Sequence, residues 1–240
     1  GCINSYMPPT YQQLNQFRCH VQDFLNDPTN YNGDSGFCPV SLSDLGYEII
    51  HYEGYSFFFE KDTDPSLDTF TGTFDKGWGT YVFNPSAGKE NLIIEVNHPD
   101  ADISVEWIGT NVFADTDAEW LLVAGAHRYA CVEGEDCTDG ENCGADMARE
   151  EQSVFQVFHE EITNYFNGDV YAFSIHGFGD SSYDTYIYDD EVGIVISNGD
   201  GFDGEFLAPS LLTQMLVGQF NSEILGETDN YQQPAVTVYD

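Results

Sequence analysis

The stretch Asn91-Leu-Ile-Ile-Glu-Val-Asn-His98-Pro-Asp-Ala-Asp102-Ile-Ser-Val-Glu106-Trp-Ile-Gly109 decides how this chain reads. Leu92, Ile93, Ile94 and Val96 form a short apolar run rich in β-branched residues, the pattern of a buried strand. Asn97-His98-Pro99 stops it, because proline ends strand hydrogen bonding and favours a new start. Asp100 and Asp102 follow, then Val105, Trp107 and Ile108 at near-helical spacing. A histidine therefore ends a buried strand, with carboxylates on the next turn or two. In an open α/β sheet that rim is where ligands bind, and a histidine followed by an acid commonly opens a metal site. The plainer reading is a helix start capped by Asp100 or Asp102, with His98 making one hydrogen bond.

Outward from this stretch, the preceding region is β-rich. Tyr47–Tyr52 and Tyr55–Glu60 flank Glu53-Gly54, and Phe70–Phe74 and Thr80–Phe83 follow. Downstream, strands and helices alternate. Residues 103–118 predict a helix with Ile103, Trp107, Ile108, Val112 and Phe113 on one face. Trp120–Ala124 is a buried strand ending in Gly125-Ala126-His127-Arg128. Val154–Phe166 is an amphipathic helix with Phe155, Phe158, Ile162, Tyr165 and Phe166 inward. Val170–Ile175 is a strand ending in His176-Gly177, and Val192–Ser197 is another, ending in Asn198-Gly-Asp-Gly. Leu211–Phe220 predicts a helix and Ala235–Tyr239 a last strand. The alternation predicts an α/β fold, a mainly parallel or mixed sheet with helices on both faces. Residues 1–46 read as a disulfide-tied N-terminal extension carrying one helix, Tyr11 to about Leu25. Residues 47–240 read as a single compact unit.

Composition limits the function. The chain carries 42 acidic residues against 6 lysines and arginines, a formal net charge of −36. Nucleic acid and anionic membrane surfaces are poor partners for such a molecule, and the balance suits a saline or ion-rich setting. No apolar run approaches the ~20 residues of a membrane span. The chain opens on Gly1 without a basic, apolar leader, which we read as a processed N-terminus. Cys2, Cys19, Cys38, Cys131, Cys137 and Cys143 form no CxxC pair, so they read as disulfide formers in an oxidising, secreted setting. Their pairing stays open: one bridge joins the N-terminal and later sets, or each set leaves a free thiol.

Three strands end in polar chemistry: at His98, at His127-Arg128 and at His176. Parallel strands bring their C-terminal ends to one rim, so these groups are expected to converge. Arginine is scarce, limited to Arg18, Arg128 and Arg149, and a planar guanidinium can grip a substrate carboxylate.

In this order and context, residues 91–178, and less closely the chain to 240, resemble the zinc carboxypeptidase and N-formylglutamate amidohydrolase group. His98 matches that group's first histidine, and His176, in Phe-Ser-Ile-His-Gly-Phe, its second. Arg128 precedes Asp146-Met-Ala148-Arg149, which looks like the group's Asp-x-Asn-Arg motif with alanine in place of asparagine. The group's His-x-x-Glu is absent, since Ala101 stands three residues after His98; Asp102 or Glu106 must supply the acid. The resemblance implies a zinc carboxypeptidase-like fold and one Zn²⁺ held by His98, His176 and Asp102 or Glu106. The ion would activate water and polarise a carbonyl. Arg128 would stabilise the oxyanion, Arg149 would hold a substrate carboxylate, and His127 would support either arginine. Asp240, at the end of Ala-Val-Thr-Val-Tyr-Asp, or Glu205 or Asp200 near the fourth strand, would take the proton. The expected substrate is a peptide or N-acyl amino acid, cleaved at an amide beside a carboxylate. Ca²⁺ is a further candidate cation, at Asp62, Asp64 and Asp68 or at Asn198-Gly-Asp-Gly-Phe-Asp-Gly. The alternative is a non-catalytic extracellular surface domain, a homo-oligomer or assembly subunit that keeps a degenerate hydrolase fold.

Overall fold

Glu53 and Gly54 both adopt left-handed backbone, φ 49° and 90°, the geometry a two-residue hairpin turn needs. They fold Tyr55–Glu60 (β3) back on Tyr47–Tyr52 (β2), pairing Tyr52 with Tyr55. This hairpin begins the main sheet. The computed structural model describes residues 5–34, 36–61, 76–99, 101–102, 104–132, 144–177, 192–197 and 235–239. In chain order the elements are β1 (Ser5–Tyr6), α1 (Tyr11–Asn26), β2, β3, β4 (Thr80–Phe83), β5 (Lys89–Val96), α2 (Val105–Thr116) and β6 (Ala118–Val123). They continue with β7 (Cys131–Val132), α3 (Val154–Tyr165), β8 (Tyr171–Ile175), β9 (Val192–Ser197) and β10 (Ala235–Tyr239).

The main sheet has six strands in the order β2-β3-β4-β6-β5-β8. The β2–β3, β3–β4 and β4–β6 joints are antiparallel; β6–β5 and β5–β8 are parallel. The sheet is therefore mixed, with its parallel half at β6, β5 and β8. Side chains alternate across it. Tyr81, Phe83, Ile93, Trp120 and Leu122 join the core formed with α1 and α3. Val82, Ile94, Val96 and Leu121 join a smaller core with Val105 and Phe113 of α2. Helices thus cover both faces, as the alternation predicts. The chain divides into two compact units, Gly1–Phe178 and Gly179–Asp240; within the second, β9 and β10 pair in parallel.

Helix α1 begins at a capping box, with Thr10 and Gln13 exchanging side-chain and backbone hydrogen bonds. It buries Leu14, Phe17, Val21, Phe24 and Leu25 as its periodicity predicts. The Phe24 ring meets Phe58, Phe83 and Trp120 edge-on, so residues 1–46 supply part of the principal core. Cys19 bridges Cys38, a closure worth about 3 kcal/mol by chain entropy for a loop of this length. Buried His20 fastens the same loop, pairing with the Tyr31 hydroxyl and the Val40 carbonyl.

Two helical faces differ from expectation. Helix α2 turns Val105, Gly109 and Phe113 inward, while Trp107 is 69% and Ile108 40% exposed. The reason is Gly109: a Cβ there would stand 2.3 Å from Val96 Cγ2. The missing side chain draws the helix onto β5 and fixes which face it buries. In α3, Phe155, Phe158 and Ile162 are buried, but Tyr165, the last residue of the helix, is 51% exposed.

No helix among the described residues is long and apolar enough to cross a membrane. The predicted strand at 70–74, the predicted helix at 211–220, both calcium candidates, Glu205, Asp240, Cys2, Cys137 and Cys143 lie outside the described residues.

Glu95 is 7% exposed on central strand β5, and His159 of α3 approaches its Oε1 at 2.6 Å. The hydrogen bond to Glu95 raises the imidazole pKa; burial opposes the shift, and the charges of Glu95 and Glu160 add to it. A raised histidine pKa contributes stability that is complete below the ordinary value of 6.5 and fades as pH rises through the raised one. The difference in unfolding free energy between the native chain and His159→Gln, measured by denaturant titration, should be largest below pH 6.5 and shrink on the alkaline side. A gap that grows with pH would contradict this pairing.

Candidate metal centre

Three neighbouring parallel strands deliver the site. Register pairs Val96 of β5 with Val123 of β6 and with Ile175 of β8. The residues just past those strand ends therefore share one rim. His98 leaves β5 into a turn closed by the Asp102 N–H donating to the His98 carbonyl at 3.1 Å. That turn brings Asp102 Oδ2 back to within 3.3 Å of His98 Nδ1. His176, one residue beyond β8, points its Nδ1 at the same spot, 3.1 Å from His98 Nδ1 and 3.9 Å from Asp102 Oδ2. The Gly177 N–H donates to Asp102 Oδ2 at 2.9 Å. A Cβ on Gly177 would stand 2.8 Å from Asp102 Cβ, so the absent side chain permits this approach. His98, Asp102 and His176 form a group able to hold a metal ion, with donor atoms all within 4.8 Å of one another. The site grades from core to surface: the His98 side chain is 3% exposed, Asp102 10% and His176 38%.

Asp146 orders this group. Its Oδ1 lies 2.7 Å from His98 Nε2, and its Oδ2 accepts from Arg128 Nη2 at 3.1 Å. Burial pushes the Asp146 carboxyl up, but the hydrogen bond from His98 and the charges of His98 and Arg128 win, holding it below the usual range. An ionised carboxylate accepts only, so a proton of His98 sits on Nε2, while Nδ1 faces the site and is approached there by His176 Nδ1 and Arg128 Nη1. Ala145 and Met147, both buried, anchor the turn that presents Asp146. The His176 imidazole is lowered, chiefly by burial and then by the charges of His98 and Arg128, against Asp102 and Asp146. Neutral imidazole is the form that binds metal.

The site residues expected from sequence divide as follows. His98, Asp102, His176 and Arg128 come together, with Arg128 Nη1 3.4 Å from His98 Nδ1. Glu106 is exposed on α2 and is not a member of the group; its backbone carbonyl accepts from Thr110 in the next turn. Asp102, four residues after His98, fills the acidic place instead. It does not cap α2: the N-cap is Ser104, left-handed and without a side-chain cap bond. Arg149 is exposed, its N–H donating to the Asp146 carbonyl. His127 is half-buried, its Nδ1 accepting from the Tyr129 N–H at 3.1 Å. Asp146 was visible in the sequence only as the first letter of a substrate-binding motif. Its contact with His98 spans 48 residues, and the buried small and apolar neighbours on either side were the available signal.

Removing Asp146 would strand the buried His98 N–H and loosen Arg128. Asp146→Ala should therefore lower unfolding free energy by about 1–3 kcal/mol, measured by chemical denaturation. Unchanged stability would contradict the assigned contacts. No protein-family model, no curated protein and no solved structure matches the chain.

Proposed function

We propose that this chain is a secreted, zinc-dependent amidohydrolase or carboxypeptidase-like hydrolase that cleaves an amide bond beside a carboxylate. The observation that carries the reading is the spacing of the three donor atoms. Donors about 2.0–2.1 Å from one ion at tetrahedral angles stand about 3.3 Å apart. Here the separations are 3.1, 3.3 and 3.9 Å. Two imidazoles and one carboxylate are a catalytic zinc donor set, with a fourth position left for water. The Asp146 carboxylate behind His98 is the supporting contact that metal-bound histidines use to fix tautomer and ring orientation. The order His98, Arg128, Asp146-x-x-Arg149, His176 agrees with the zinc carboxypeptidase resemblance.

A zinc ion held there would lower the pKa of a bound water towards ~7 and polarise a carbonyl. The chain's own groups supply the rest. His98, Asp102 and His176 hold the ion, and Asp146 keeps His98 aimed. Arg128 presents fixed positive charge beside the group for a developing oxyanion. Arg149, exposed on the turn after Asp146, is available to a substrate carboxylate. The proton acceptors expected from sequence, Asp240, Glu205 and Asp200, lie outside the described residues. The Cys19–Cys38 bridge suits an oxidising compartment. The second reading is a non-catalytic, metal-carrying extracellular domain. It is favoured by Ala148, which stands where the resembled group has a carboxylate-binding asparagine.

Metal analysis after exhaustive dialysis should give about one zinc per chain. The same protein should release amino acids from N-acyl amino acids or peptide C-termini, and His176→Ala should lose both metal and hydrolysis. Zinc retained without hydrolysis would favour the second reading. No zinc, or hydrolysis that survives His176→Ala, would overturn the first.

A further inference from the structure

The far side of His176 is as organised as its near side. Its Nε2 lies 3.1 Å from Ser174 Oγ and 3.4 Å from Asn97 Nδ2. Asn97 Nδ2 in turn donates to Ser174 Oγ at 2.7 Å. Strand geometry explains the triangle. Ser174 and His176 are two residues apart and share a side of the chain. Register pairs Glu95 with Ser174 and Val96 with Ile175, so Asn97, the first residue past β5, meets both. Asn97 is 6% exposed and its Oδ1 has no hydrogen-bond partner among the described residues. A buried amide oxygen without a partner is costly, and turning the amide over would aim Oδ1 at Ser174 Oγ and His176 Nε2.

We propose that Asn97 and Ser174 act together as positioning residues for His176, fixing its proton on Nε2 so that the Nδ1 lone pair faces the cation. The inference rests on the metal reading above. With the cation on Nδ1 the neutral ring carries its proton on Nε2, and Ser174 Oγ is the acceptor within reach at 3.1 Å. Asn97 Nδ2 donates to Ser174 Oγ, taking one serine lone pair; the other accepts the His176 Nε2–H. Turning the Asn97 amide over would let its Oδ1 accept from the serine hydroxyl instead. In both orientations the serine oxygen keeps a lone pair for the imidazole. The two metal-facing histidines are thus set by different partners: His98 by the Asp146 carboxylate, His176 by a neutral hydroxyl backed by an amide. A neutral acceptor supports the ligand without adding negative charge to a rim already carrying Asp102 and Asp146. Asp146 alone cannot do this work, because its contact is with His98.

The test measures zinc affinity by chelator competition and the His176 ring by nitrogen NMR, on the full chain at pH 8. In the zinc-loaded native chain the His176 proton should reside on Nε2. Ser174→Ala should weaken zinc binding about 10–100-fold, the usual cost of losing such a contact. Ser174→Thr, which keeps the hydroxyl and suits a strand, should restore native affinity. Ser174 is exposed, so neither variant threatens folding, and unchanged unfolding midpoints would show it. Zinc bound by the native chain with equal affinity in Ser174→Ala overturns the positioning role and leaves the metal reading standing. A His176 proton on Nδ1 in the loaded protein overturns it as well. A native chain that binds no zinc removes both.

Discussion

Parallel strands β5 and β8 run side by side in a register that pairs Val96 with Ile175. That single alignment carries the rest. One or two residues beyond it the chain leaves the sheet on both strands, and two imidazoles meet with their Nδ1 atoms 3.1 Å apart. A slip of one residue would send His98 and His176 to opposite faces, and the Asp102 turn would have nothing to close upon. The register is held by burial on both faces: Ile93 packs towards α1 and α3, Ile94 and Val96 towards α2. Gly109 tightens the second contact by letting α2 lie against Val96.

Charge logic extends outward from that meeting point. Neutral imidazoles 3.1 Å apart beside a carboxylate are poorly matched unless a proton or a cation lies among them. Asp146 claims the His98 Nε2 proton and Arg128 steadies Asp146. The chain spends one of its few basic residues here, against a net charge of −36. The guanidinium offsets negative charge beside two carboxylates and two histidines, an arrangement in keeping with the proposed metal centre.

Much of the frame was legible in the sequence. The apolar run of β5, the proline after His98, the His-Gly after β8 and the α1 periodicity all gave elements at or near their observed positions. Each depends on residues close together in the chain. What could not be read depends on contacts across it. Trp107 looked inward by helical spacing, but the Gly109–Val96 approach chose the Val105, Gly109, Phe113 face instead. The antiparallel half of the sheet needed the Glu53-Gly54 turn to be recognised as the start of a meander through β4 to β6. Within the site, His98, His176 and Arg128 announced themselves by strand endings, and the choice between Asp102 and Glu106 was undecidable until the turn after His98 had a shape. Asp146, Asn97 and Ser174 have roles created by partners 48 to 79 residues distant.

The central claim is that His98, Asp102 and His176 grip one zinc ion together. X-ray absorption at the zinc edge of the loaded protein addresses it directly. The account predicts a shell of about four nitrogen and oxygen donors near ~2.0–2.1 Å, with outer-shell scattering from two imidazoles. A shell containing sulfur, or one made of oxygen alone, would place the metal elsewhere and contradict it.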